Sequence, residues 1–423
     1  MKHELENLAS KILRAAGSFP VQIFIRSKQG ILARFTNNGV HQNGFQNLLF
    51  YAVRASGKKG FVSIESNDLS KAGIKNTINQ LKVLEPHPTP PEILKRSSIP
   101  NLREHFPIQL EKTPEMAASA IEKGIHLIES EKASANGYYS AYERLFYFAD
   151  SRGQELFHPA TAVRFGVTAA RGSGKGYSSF YHADPKRLDV ISVAREATQL
   201  AKKASVREIS IKPGIYECIF SPRAFLELIE PIRRQFDAQL YRDGKSIFSG
   251  SLGSQIFSRT FTLSDDVTHP KQFGVPFDVE GTARKKVALI KNGVLKGLLG
   301  EGHSSRGISE HAFYPENLVG EGGRLSLNQL FRRVKRGIYI NKIRYHTLVR
   351  ETGLEVTGLA TAGSLYIEKG QAKGRVGHLR YHDSLFSILQ SLVTGTREQT
   401  LLKDGEMGAA LLPYYLISKL HVV

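Results

Sequence analysis

The segment Arg171-Gly172-Ser173-Gly174-Lys175-Gly176 looks like a phosphate cradle. A phosphate-binding loop of that kind needs a hydroxyl directly after its lysine, to reach Mg²⁺, and a glycine six residues before it. Gly176 and Ala169 stand at those two places, and the segment lies between expected strands, not ahead of a helix N-terminus. It reads as a glycine-serine turn. His378 and His382 are spaced to share a strand face or a helical turn. Arg380 would share that strand face, however, and neither His-Glu-x-x-His nor a nearby acidic ligand accompanies them. His303 and His311 flank Ser304-Ser305-Arg306, a nucleophile beside a base, without the elbow motif or third partner that activates such a serine. The run Arg332-Arg333-Val334-Lys335-Arg336 has the charge to track a phosphate backbone. It falls on an amphipathic helix with Leu327, Leu330, Phe331 and Val334 turned inward, so it reads as a solvated helix face.

The elements that would position these residues follow from periodicity. Leu5, Leu8, Ile12 and Ala16 recur at helical spacing, and Gly17 is a natural stop. Val21–Ile25 and Ile31–Phe35 read as strands, with Lys28-Gln29-Gly30 as the turn of a hairpin between them. Further strands are expected at Val40–Gln42, Asn47–Arg54, Tyr138–Ser140, Leu145–Ala149 and Thr161–Ala170, and helices at 69–83, 113–131 and 188–204. Six prolines between Pro86 and Pro107 mark an extended connector. Beyond Pro213-Gly214 a strand leads to the capped start Ser221-Pro222, and Pro231 should interrupt that helix. The pattern predicts an α+β chain whose helix-and-antiparallel-sheet first half precedes a sheet-dominated second half. Its expected divisions are 1–84, a connector at 85–112, a central region at 113–212 that packs with the first, and a C-terminal region at 213–423.

Composition narrows the classes. The 423 residues carry 58 Lys+Arg against 39 Asp+Glu, a formal charge of 58 − 39 = +19, which invites nucleic acid, acidic lipid or acidic partners. No apolar run reaches the roughly 18–20 residues of a membrane span, and the first residues lack a secretory apolar stretch. One cysteine, Cys218, cannot form an intrachain disulfide or a Cys-rich metal cluster, which fits a reducing cytoplasm.

Several stretches together resemble the TldD/PmbA family, two-subunit zinc metallopeptidases once described as modulators of DNA gyrase. Arg34-Phe35-Thr36-Asn37-Asn38-Gly39-Val40 is similar to an early family signature. It is followed by Ala149-Asp150-Ser151-Arg152-Gly153, Lys212-Pro213-Gly214-Ile215-Tyr216 and Phe248-Ser249-Gly250-Ser251-Leu252-Gly253. Phe277-Asp278-Val279-Glu280-Gly281-Thr282, Leu289-Ile290-Lys291-Asn292-Gly293-Val294 and Tyr366-Ile367-Glu368-Lys369-Gly370 continue the series in family order. The resemblance implies a subunit that dimerises around a cavity taking unfolded peptide in extended form.

Against the catalytic subunit type the chain departs at every zinc ligand. That type carries His-Glu-x-x-x-His before the Phe-Ser-Gly stretch and a cysteine near the C-terminus. Here Ile229 and Arg234 fall on the histidine positions, only Glu230 matches, and Leu401 and Leu402 precede Lys403-Asp404-Gly405 where the cysteine is expected. Arg234 should place a cation where Zn²⁺ would sit. The resemblance therefore implies the TldE/PmbA-type subunit, with no catalytic residue, metal or cofactor of its own, and with Arg284 and His303 as groove residues. Its partner would be a TldD-like zinc-bearing subunit, or a second copy of itself. Two alternatives stay open: a homodimeric metal-independent hydrolase or transferase using His303, Ser304 or Glu280, and a basic nucleic-acid-associated regulator.

Overall fold

The computed structural model describes residues 2–57, 60–90, 99–102, 105–300, 314–377, 379–405 and 407–423. Six strands form a first sheet: β1 (Gln22–Thr36), β2 (Gly39–Gly57), β3 (Gly60–Ser66), β4 (Ser134–Asp150), β5 (Glu155–Arg171) and β6 (Gly174–His182). Their order is β3-β2-β1-β4-β5-β6, antiparallel throughout, so residues from both sides of the Pro-rich connector share one sheet.

Strand side chains alternate between faces, and here the alternation divides the labour. Odd-numbered residues of β1 and β4 face helices α1 (Lys2–Ala16), α2 (Lys71–Leu84), α3 (Thr113–Ser130) and α4 (Val190–Ser205), with Ile23, Ile31, Phe35, Tyr139 and Tyr147 among those buried there. The even-numbered residues turn to the opposite face. There Phe24, Phe146 and Phe148 meet Val275, Phe277 and Met407 of the C-terminal half.

The expected hairpin at Lys28-Gln29-Gly30 does not form. β1 runs straight through it, and Gly30 faces Tyr142 of β4. Its role is close approach: at φ +146° a Cβ built on Gly30 would come within 2.0 Å of the Ala141 carbonyl oxygen. The turn lies instead at Asn37 and Asn38, with φ of 47° and 65°, where asparagine tolerates the left-handed region. The segments read as separate strands at 138–140 and 145–149 are likewise one strand, β4. The glycine-serine turn at Gly172 and Ser173 does join two strands, β5 and β6.

The second half is built on a fourteen-stranded sheet. In it Gly214–Phe220 runs parallel to Arg336–Ile340 and antiparallel to Gly408–Val422. Its core includes Cys218, fully buried, whose thiol burial pushes far above the usual cysteine range. Of the expected inward face, Leu330 is buried beneath the helix Leu327–Arg333 and Val334 just past its end, while Leu327 and Phe331 are half-buried; the helix stops short of the whole basic run, and Arg336 begins the strand Arg336–Ile340. No helix among the described residues is long and apolar enough to cross a membrane.

Candidate functional site

Ser221 caps the short helix Pro222–Leu228, its hydroxyl accepting from the Ala224 N–H at 3.1 Å and donating to the Asn341 carbonyl at 2.6 Å. Pro231 has no N–H to continue an α-helix, and the chain tightens into a 3₁₀ turn over Glu230–Phe236. That change of pitch sets the site. In a 3₁₀ turn residues three apart eclipse, so Arg233 stacks on Glu230, its Nε 3.0 Å from Oε2.

Ile229 is fully buried in the apolar core and offers no donor atom. Arg234 does not place a cation at the site. It is exposed, and among the described residues its ion pair is with Glu351, at 3.9 Å. The buried cation is Arg233, 3% exposed, with Nη1 2.8 Å from Asp404 Oδ2 and donating to the Pro315 carbonyl at 3.2 Å. Burial works against its charge, but Asp404 and then Glu230 raise its pKa on balance. The Asp404 carboxyl is itself raised, by burial first, with Arg233 opposing. Tyr314 closes the group, its hydroxyl donating to Glu230 Oε1 at 2.9 Å.

A second buried cation stands nearby. Arg284 donates from Nη2 to Glu316 Oε2 at 2.7 Å, and its Nη1 lies 3.8 Å from Asp265 Oδ2. Burial raises Asp265 to about 6 and Asp278 to about 7, with Arg284 opposing both shifts. Asp278 holds the loop after Phe277, its Oδ1 accepting from the N–H groups of Glu280 (2.8 Å) and Thr282 (2.9 Å). Glu280 is a clamp between the halves: its carboxylate meets Arg54 of β2 at 2.5 Å, and its carbonyl accepts from Gln22 of β1 at 3.3 Å. Arg284 thus lies in the buried polar cluster, whereas His303 and Ser304 lie outside the described residues.

The donor set at the positions that the resemblance sets against zinc ligands does not fit a zinc ion. One position is aliphatic, one is a solvent-facing guanidinium, and the late stretch offers Leu401 and Leu402. Next to the surviving glutamate stands Arg233, a fixed cation that would repel Zn²⁺. Among the described residues no three His, Cys, Asp or Glu side chains are grouped to hold a metal. Sequence spacing pointed to Arg234 and missed Arg233. The signal was present in Pro231, which forces the tighter pitch.

Sequence models of the PmbA/TldA metallopeptidase central and C-terminal domains match residues 106–204 and 213–423. The fold is similar to that of TldE from Thermococcus kodakarensis, with a TM-score of 0.81 at 19% identity, covering 98% of this chain and 100% of that one. A metalloprotease from Methanothermobacter thermautotrophicus is 25% identical over 249 residues, 55% of this chain and 52% of the relative. A metalloprotease TldD homolog from Buchnera aphidicola is 26% identical over 185 residues, 40% and 38% of the two chains. The chain spans about half the length, or less, of the curated relatives it matches.

Proposed function

We propose that this chain, which belongs to the PmbA/TldD metallopeptidase family, acts in the cytoplasm as a non-metal subunit in peptide maturation and degradation. It pairs with a zinc-bearing partner and helps enclose a cavity that takes unfolded peptide. The observation that carries this reading is the Arg233 ion-pair group beside Glu230. In a zinc peptidase the metal lowers the pKa of its bound water and the glutamate takes the proton. Here Glu230 instead accepts from Tyr314 at one oxygen and pairs with Arg233 at the other. The likeness to TldE supports the same side of the pair.

An independent hydrolase built on Glu280 is disfavoured by geometry. That carboxylate is 7% exposed and engaged by Arg54. A general base must reach the proton that it removes.

Isolation of the tagged protein from its native cell tests the proposal. A co-purifying chain bearing His-Glu-x-x-x-His is expected, with peptide cleavage that a chelator abolishes and that the chain alone lacks. Near-stoichiometric zinc in the chain alone, or chelator-insensitive cleavage by it, overturns the reading.

A further inference from the structure

Gly176 of β6 faces α4, where a Cβ would come within 2.1 Å of the Ala197 carbonyl oxygen. Its neighbours Tyr177 and Ser179 therefore turn to the helix-free face of the first sheet. Two elements of the second half meet them there. The helix Pro222–Leu228 brings Arg223 and, one turn on, Glu227. The strand Lys342–Arg350 brings Lys342 and Arg344, two residues apart and so on one side of it.

Two of these cations share a single ring. The Lys342 ammonium lies 4.1 Å from the Tyr177 centroid and the Arg223 guanidinium 5.3 Å from it. A ring attracts a cation without cancelling its charge. Arg223 donates from Nη2 to Ser179 Oγ at 2.6 Å, one of the five N–H groups that a guanidinium carries. The side chains of Lys342 and Arg344 make no hydrogen bond or ion pair with another described residue. The carboxylate beside them is turned to the backbone: Glu227 Oε2 accepts from the Ile343 N–H at 3.2 Å. Burial raises the Glu227 pKa, with Arg223 opposing, while burial and then Arg223 lower that of Lys342. Arg164, also on this face, is taken up by Tyr138, lying over its ring at 5.2 Å and donating to its hydroxyl at 3.3 Å.

We propose that Arg223, Lys342 and Arg344 form a binding site for a phosphate monoester dianion. Three cations against one carboxylate leave two positive charges over, and a monoester at neutral pH carries close to two negative ones. A guanidinium fork matches two phosphate oxygens, and an ammonium takes a third as a point charge. The half-buried placement of Arg223 and Lys342 strengthens such contacts relative to open water. A phosphorylated side chain of a peptide and a small phosphate ester present the same group to this site.

The test is calorimetric titration of the purified full chain at fixed ionic strength. The probes are inorganic phosphate, an unstructured phosphoserine peptide and its unphosphorylated counterpart. Inorganic phosphate should bind, and the phosphopeptide should bind at least roughly tenfold tighter than its counterpart, the worth of one charge-assisted contact. A phosphopeptide that also exceeds inorganic phosphate tenfold identifies a peptide as the source, and equal affinities identify a small ester. Arg223→Gln and Lys342→Gln should each weaken phosphate binding roughly tenfold at an unchanged urea midpoint. Arg344→Gln, at an exposed position, supplies the same reading should either of those fail to fold. Lys291→Gln, on another strand, should leave the affinity as it was. Absence of binding at millimolar phosphate overturns the site, as does an affinity that survives all three substitutions or an equal response to chloride. Tighter binding of a single-stranded oligonucleotide, whose internal phosphates are singly charged diesters, overturns the dianion assignment. None of these results touches the subunit reading, which the co-purification decides.

Discussion

The two cationic regions on either side of the Lys403-Asp404 step are built on opposite rules. Around Arg233 and Arg284, each guanidinium is set against carboxylates: Glu230 of its own turn and Asp404 for one, Glu316 and Asp265 for the other. Around Lys28, Arg144 and Arg164 the cations are instead set against one another and against aromatic rings. The first arrangement holds structure in place through ion pairs between separate parts of the chain. The second lines one face of the first sheet, with aromatic rings beside the cations.

That contrast can be broken experimentally. Arg233→Ala should have the largest effect, since it leaves Asp404 buried without its partner. A loss of about 3–5 kcal/mol in urea unfolding is expected, and a loss below 1 kcal/mol would show that the group is not structural. Gly30→Ala drives a methyl into the Ala141 carbonyl of the neighbouring strand. It should cost about 1–3 kcal/mol by overpacking, read as a lowered urea midpoint at an unchanged slope.

Asp278 and Asp265 sharpen the comparison through pH. Their folded pKa values of about 7 and about 6 lie above the ordinary 3.8. The folded state therefore binds more protons than the unfolded state between pH 4 and 7, and stability falls as pH rises across that window. Asp278→Asn should flatten the upper part of this decline in a pH series of thermal melts. A stability that rises with pH there would contradict the burial argument. Arg234→Ala is the smallest expected change, within about 0.5 kcal/mol for an exposed residue. A loss as large as that of Arg233→Ala would reverse the assignment of the buried cation.

Much of the fold was legible because it rests on periodicity. The helices α1 and α4, the break at Pro231, the turn at Gly172 and the inward face of Leu327–Arg333 were all readable from spacing. The hairpin at Gly30 was misread because glycine marks both turns and close backbone approach, and a local window cannot tell them apart. Dividing β4 at Ala141–Arg144 concealed one face of the sheet, since Tyr142, Arg144 and Phe146 align only when the strand is continuous. The polar cluster was less legible still. Arg284 was named as a groove residue, but its carboxylate partners come from segments far apart in the chain, and only the folded sheet brings them together.

The clamp at Glu280 has a consequence for how the molecule comes apart. Arg54 and Gln22 from one half hold this residue of the other half, beside a shared cluster of phenylalanines. Loosening either sheet alone would strand a buried charge and uncover aromatic surface in its neighbour. The two halves should therefore melt as one cooperative unit, giving a single calorimetric transition from a chain long enough to show two.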